Sequence, residues 1–491
     1  NECNRKIISL GLCMFYNTIF DLNRASSTYG YNLEGRLPLF KRGLDPHSTF
    51  GFSVALHKLA VDPGNGLEKS LLVVGSPTAG SITSQTNAVK PGGIYHCPVT
   101  TNSEDCTRVK MDLGESTKLN NKTGQWLGVS LKSQGPGKYL ITCAHRHSVR
   151  LYTKVHEVEQ LCGKCFLLNG TSDNKLTEIR PEDVDNRFIG SRQPDHGGVE
   201  YAQSGTSCTF VGDGEYLMGG PGMWAWTGGM FDVEMADLEA TEALDLFTSS
   251  TAMYETLGCF KNEIDNRKVK CDKDSYLGFS VASSKTLIPD QTTYIAGAPR
   301  GNYTGSVVLY QKVGGLIPMV ADTLMGEFIG SSFGFSVEAT DLNGDGVDDL
   351  LVGAPQYYEY SNEGKHGGAV YVYISQAGKK LSQTQPQKLT GKLDSFFGYS
   401  ISPLGDIDQD GFGDFAVGAP HEKPHGKVYI FRGSADGAVK ESQVFDGSNF
   451  TDITTDIKGF GVSLSGVVDI DNNKYPDLLV GTLSDFVVLL R

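Results

Sequence analysis

One phrase, written three times, constrains this chain more than any other feature. Phe333-Gly334 leads to Asp341-Leu342-Asn343-Gly344-Asp345-Gly346-Val347-Asp348-Asp349 and then to Leu350-Leu351-Val352-Gly353-Ala354-Pro355. Phe397-Gly398 leads to Asp406-Ile407-Asp408-Gln409-Asp410-Gly411-Phe412-Gly413-Asp414 and Phe415-Ala416-Val417-Gly418-Ala419-Pro420. Phe460-Gly461 leads to Asp469-Ile470-Asp471-Asn472-Asn473-Lys474-Tyr475-Pro476-Asp477 and Leu478-Leu479-Val480-Gly481. Each copy reads as a strand, an acidic loop and a second apolar strand.

The loops carry oxygen side chains at positions 1, 3, 5 and 9, with Gly at position 6 in two copies. Alternating Asp and Asn oxygens on a tight turn converge on one hard cation, and the loose, oxygen-rich shell suits calcium better than magnesium. The expected ligands are Asp341, Asn343, Asp345 and Asp349, then Asp406, Asp408, Asp410 and Asp414, then Asp469, Asp471, Asn473 and Asp477. The position 7 carbonyls of Val347, Phe412 and Tyr475 add a ligand each, giving three calcium sites. An EF-hand would need a bidentate Glu at position 12 and a helix on each side. Position 12 is Val352, Val417 or Val480, each inside a short β-prone run. The third loop is the weakest copy, with Lys474 where Gly is expected.

Degenerate copies stand upstream. Phe50-Gly51-Phe52-Ser53 precedes Leu71 to Pro77, Trp126-Leu127-Gly128-Val129 precedes Tyr139 to Ala144, and Tyr276-Leu277-Gly278-Phe279 precedes Tyr294 to Pro299. A faint copy survives at Tyr216 to Pro221. These make seven units with a period near ~60 residues, and only the last three have the acidic loop. Alternating third strands, such as Gly368 to Ile374 and Gly426 to Phe431, and polar fourth strands, such as Gln387 to Gly391, complete each unit. The fold class expected is all-β, a seven-bladed β-propeller of four-stranded antiparallel blades spanning 31–491. The seventh unit ends at Arg491 one strand short, so the stretch Tyr31 to Phe40 is expected to complete it and leave no open sheet edge. Residues 146–201 and 231–275 read as longer insertions, the second acidic with a helix-like run.

Arg5-Lys6, the apolar run Ile7 to Phe20 and small residues near Ala25 make 1–27 read as a secretory signal peptide, too short to span a bilayer. Ten cysteines agree with an oxidising compartment. Cys97 and Cys106 flank a hairpin-sized loop, as do Cys259 and Cys271. Cys143, Cys162, Cys165 and Cys208 supply two more bridges, most simply Cys143–Cys165 and Cys162–Cys208, although spacing does not fix connectivity. Sequons at Asn121, Asn169, Asn302 and Asn449 suit a glycosylated extracellular protein. A net charge of −14 argues against nucleic acid as a partner. No Cys/His cluster or separate catalytic domain is present, so no enzymatic activity is expected.

Repeated FG … DxDxDGxxD … GAP phrases in a secreted chain resemble the β-propeller head of an integrin α subunit, and Ser275-Tyr276-Leu277-Gly278-Phe279-Ser280-Val281 is most similar to the laminin-binding class. Between the second and third units there is no room for an inserted I domain. The resemblance implies an adhesion receptor on the extracellular side of the plasma membrane, paired with an integrin β subunit and binding a matrix protein such as laminin. It implies an aromatic cup at the channel mouth that receives a basic side chain of the β subunit, at Phe52, Phe166, Phe279, Phe335 and Tyr399. Lys273 stands where readers of Arg-Gly-Asp peptides carry an acid, which disfavours that ligand. The alternative is a stand-alone secreted calcium-binding propeller for carbohydrate or another matrix protein.

Overall fold

The computed structural model describes residues 33–60, 69–85, 87–152, 157–169, 176–179, 201–234, 255–258, 274–288, 291–311, 319–361, 364–450 and 457–491. They form seven four-stranded antiparallel sheets, so the chain is a seven-bladed β-propeller. The leader expected at 1–27 lies outside the described residues, as do Cys259, Cys271 and Lys273. Among the described residues no helix is long and apolar enough to cross a membrane.

The first strand of each blade lines the channel, and each touches the first strand of the next around the whole ring. Blade 5 shows the plan. Ser336–Thr340 pairs with Asp349–Ser361, which pairs with Gly364–Tyr373, which pairs with Gln387–Lys392. Apolar side chains of neighbouring blades meet face to face. Val307 and Leu309 of blade 4 join Val337, Leu350 and Val352 of blade 5 in one buried cluster.

A hydrogen-bonded girdle reinforces this packing. Every unit contains a Gly-X-Ser triplet, and each Ser hydroxyl donates to the backbone oxygen of the corresponding Gly in the next blade. The set runs from Ser53 to Gly128 O at 2.8 Å through to Ser463, whose donation to Gly51 O at 2.8 Å joins blade 7 to blade 1. Such close approach leaves no room for a side chain on the facing second strand. A Cβ on Gly353 would lie 2.2 Å from Gly398 O, and one on Gly481 would lie 2.1 Å from Gly51 O. The recurring second-strand Gly is therefore a contact between blades.

The ring closes as a shared blade. Leu39–Arg42 pairs with Phe486–Leu490, Leu39 opposite Leu489 and Arg42 opposite Phe486. The pairing strand thus lies at the C-terminal end of the stretch expected to close the ring and runs past it to Arg42. Lys41, fully buried, bonds Asp105 at 2.6 Å and Asn102 O at 2.7 Å, so the closing strand is also tied to blade 1.

Parts of both expected insertions are blade. Lys164–Leu168 and Leu176–Ile179 are the third and fourth strands of blade 2, with Val149–Tyr152 and Glu157–Gln160 as an added hairpin. Gly229–Glu234 and Glu255–Gly258 complete blade 3, so the acidic residues at 232 and 234 sit in a strand, and the helix-like run lies outside the described residues. Their degenerate repeats hid the strands. Cys97–Cys106 and Cys143–Cys165 are disulfides. Cys162 and Cys208 do not pair with each other. Cys162, on the turn before its strand, directs its thiol at Gln160 O, whereas Cys208 faces Ser130 of the neighbouring blade. Burial pushes the Cys208 thiol up to about 11. Asn302 and Asn449 are exposed, and Asn121 and Asn169 are half-buried. The Asn121 amide nitrogen already donates to Ser148 Oγ and Glu159 Oε1.

Candidate functional site

The three acidic loops leave the far ends of their first strands and share one hydrogen-bond pattern. The position 6 N–H donates to position 1 Oδ2 at 2.8 Å in all three, Gly346 to Asp341, Gly411 to Asp406 and Lys474 to Asp469. The position 2 N–H donates to position 9 Oδ2, from Leu342 to Asp349, Ile407 to Asp414 and Ile470 to Asp477. Position 7 N–H donates to the position 5 oxygen in Val347, Phe412 and Tyr475. These bonds turn the side-chain oxygens inward. Positions 4 and 6 are left-handed throughout, at Gly344 and Gly346, Gln409 and Gly411, and Asn472 and Lys474. Lys474 therefore adopts, at φ 77°, the conformation its Gly counterparts adopt without strain.

Each loop seats one carboxylate in the core. Asp349, Asp414 and Asp477 are all 0% exposed. Burial, reinforced by the neighbouring loop carboxylates, pushes Asp349 up to about 6 and Asp414 and Asp477 up to about 7. Oxygens of Asp406, Asp408 and Asp414 lie within 4.8 Å of one another, as do those of Asp469, Asp471 and Asp477. Asp408 Oδ1 and Asp477 Oδ1 are buried with no hydrogen-bond partner. Buried, converging, unsatisfied carboxylate oxygens fit a hard divalent cation, which supplies the missing charge and the missing partner at once. In loop 5 position 3 is Asn343, whose amide donates to Asp345 Oδ2 at 3.1 Å.

At the opposite end of the first strands lies the channel mouth. The X of each Gly-X-Ser triplet is half-buried there at Phe52, Phe279, Phe335 and Tyr399. Phe279, Phe335 and Tyr399 form a continuous arc across three blades, with ring centroids 4.9 and 4.8 Å apart. Phe166 does not join them. It sits on the third strand of blade 2, opposite Thr142, 0% exposed among Ala55, Leu131 and Leu168. A third strand stands one sheet position or more away from the channel, so its side chains fill the space between blades instead.

Trp126 completes the mouth in blade 2, where X is Val129, and sequence reasoning passed over it. Its ring lies 5.8 Å from Phe52, with the Arg146 guanidinium 5.5 Å above it. The residue three before X is left-handed in all seven blades, at Thr49, Trp126, Gln203, Tyr276, Ser332, Phe396 and Gly459. In blades 1, 2, 4, 5 and 6 it meets the residue three after the second-strand Gly, or after Cys143 in blade 2. Tyr276 carries Arg300 at 5.1 Å, Phe396 packs on His421 at 4.5 Å, and Ser332 donates to Gln356 at 2.7 Å. The signal was available as a fixed spacing between two motifs.

Comparison with known proteins agrees with this architecture. The FG-GAP repeat family model matches residues 333–373 and 397–431. Integrin alpha-6 of Gallus gallus is 39% identical over 469 residues, covering 94% of this chain and 41% of that protein. Integrin alpha-7 of Rattus norvegicus is 40% identical over 477 residues, covering 96% and 39%. The chain is an FG-GAP propeller of the integrin α family. Integrin alpha-5 of Xenopus laevis is 32% identical over 474 residues, 93% of the chain and 42% of that protein. This integrin α propeller thus spans about two-fifths of the length of the curated relatives it matches.

Proposed function

We propose that this integrin α propeller is the ligand-binding head of a cell-surface adhesion receptor, pairing with an integrin β subunit and binding an extracellular matrix protein, laminin foremost. The observation that carries the reading is the half-buried aromatic arc at the mouth, Phe279, Phe335 and Tyr399, with Phe52 and Trp126 across the channel. Aromatic rings gathered around an opening attract a cation, at roughly 0.5–2 kcal/mol per good contact. A basic side chain of the β subunit is the expected guest. The glycans expected at the exposed Asn302 and Asn449, and the two disulfides, suit the extracellular side of the plasma membrane.

Calcium in the loops of blades 5, 6 and 7 braces the face away from the mouth. Asp341, Asp345 and Asp349 with Asn343, Asp406 to Asp414, and Asp469 to Asp477 hold it, and each position 7 residue offers its carbonyl. When bound, the ion supplies charge neutralisation and cross-linking. The role is structural, as the hydrogen bonds that tighten each loop belong to the backbone of one hairpin.

The test is co-expression with an integrin β chain, then binding of the pair to purified laminin and to an Arg-Gly-Asp ligand in calcium, manganese and EDTA. Phe335→Ala with Tyr399→Ala should abolish pairing while leaving the melting curve near the parent's. Laminin binding should need the β chain and divalent ions. Equal carbohydrate or matrix binding by the propeller alone would favour a stand-alone module.

A further inference from the structure

Arg432 ends the third strand of blade 6, Lys427–Arg432, where its register partner is Asp414 of the cation loop. Its guanidinium turns into that loop, with Nη1 2.6 Å from Asp408 Oδ2. The Asp408 side chain is 7% exposed, and its other oxygen is buried without a hydrogen-bond partner. One oxygen of the position 3 carboxylate is thus held by a fixed positive charge while the other stays open. The equivalent place differs in the sister loops. In blade 5, Leu350 pairs with Tyr373, so Asp349 stands beside the uncharged Ile374. In blade 7 the residue is Arg491, whose Nη1 comes no nearer Asp471 Oδ2 than 3.8 Å. The three loops form a graded series of no charge, a loose charge and a close one.

We propose that Arg432 is an internal counter-ion of loop 6. It fixes Asp408 with one oxygen open for the ion, and its charge makes loop 6 the weakest of the three calcium sites, the first to empty as calcium falls. This rests on the calcium reading of the loops above. It runs against simple charge counting. At ligand positions 1, 3, 5 and 9 loop 6 has four carboxylates, Asp406, Asp408, Asp410 and Asp414, whereas loops 5 and 7 have three each, so ligand charge alone would make it the tightest. An ion held by Asp408 lies within one carboxylate's width of the guanidinium. At such separations, in water-accessible surroundings, repulsion between a divalent ion and a unit charge changes affinity roughly tenfold.

Phe412 offers only its backbone carbonyl to the ion, so Phe412→Trp turns loop 6 into a terbium reporter with its ligand atoms unchanged. The whole chain, co-expressed with its β partner, is loaded with terbium, excited through tryptophan and titrated with calcium, with the Phe412 parent subtracted. Arg432→Met should tighten calcium binding at loop 6 about tenfold, and Arg432→Lys should stay near the parent. Calorimetric calcium titration without the reporter should show the weakest transition moving to tighter binding in Arg432→Met. Arg491→Met should move loop 7 less. Unchanged or weaker calcium binding at loop 6 in Arg432→Met overturns the proposal. No calcium-displaceable terbium emission from any variant overturns the calcium reading of loop 6 and the proposal with it. Melting in EDTA establishes that each variant is folded, and Arg432→Gln serves if Arg432→Met is not.

Discussion

Replacing Asp477 by Asn should stabilise the propeller without calcium and destabilise it with calcium. Asp477 is 0% exposed, Oδ2 accepts from Ile470 N at 2.6 Å and Oδ1 has no hydrogen-bond partner in the protein. Burial lifts its carboxyl from 3.8 to about 7. A folded-state value above the unfolded one means that the folded chain binds the proton more tightly. Its stabilising share is complete below about pH 3.8, drains away as pH rises, and is gone above about pH 7. Three units at 1.36 kcal/mol each, discounted for water reaching the loop, put the ionised side chain about 2–4 kcal/mol against the fold at pH 8. Asn keeps an acceptor for Ile470 N and carries no charge, although its amide nitrogen inherits a poor site costing ~1–3 kcal/mol. A net gain of about 1 kcal/mol should remain in EDTA at pH 8 and vanish by pH 5. In excess calcium the sign inverts, because the ion needs the carboxylate. Urea unfolding of parent and Asp477→Asn at both pH values, with calcium and with EDTA, gives the four numbers. An equal loss of stability under all four conditions would refute the reasoning.

Two further outcomes follow from the same geometry. Deleting Leu39–Arg42 removes the outer strand of blade 7, the apolar burial of Leu39 and Phe40 and the Lys41–Asp105 pair, and should cost at least ~5 kcal/mol and open the ring to proteolysis; a chain lacking it that melts with the parent would show that the strand does not close the propeller. Lys474→Gly relieves a left-handed residue and should add about 1 kcal/mol in EDTA, read as a higher urea midpoint with unchanged slope.

The units with intact phrases declared themselves because their information is local. Spacing within one loop sets which oxygens converge, and alternation within one strand sets which face is apolar, so blades 5 to 7 and their cation loops were legible as written. Units 2 and 3 were harder because their third and fourth strands departed from the repeat, and all four fell wholly or partly within stretches that read as insertions. The Ser of each Gly-X-Ser triplet was visible in every unit, yet its partner, a backbone oxygen of the next blade, exists only in the closed ring.

The amino-acid order by itself determined the number of blades, the placement of the acidic loops and the presence of a spare strand near the N-terminus. Tertiary structure alone decided where side chains from different strands end. Phe166 is as aromatic as Phe335, but it lies on a third strand and is buried between blades. Arg432 is an ordinary strand-ending cation until the sheet's register sets it against Asp408. Periodicity specifies a face of one element, whereas meeting a partner in another element depends on how the elements pack, which only ring closure fixes.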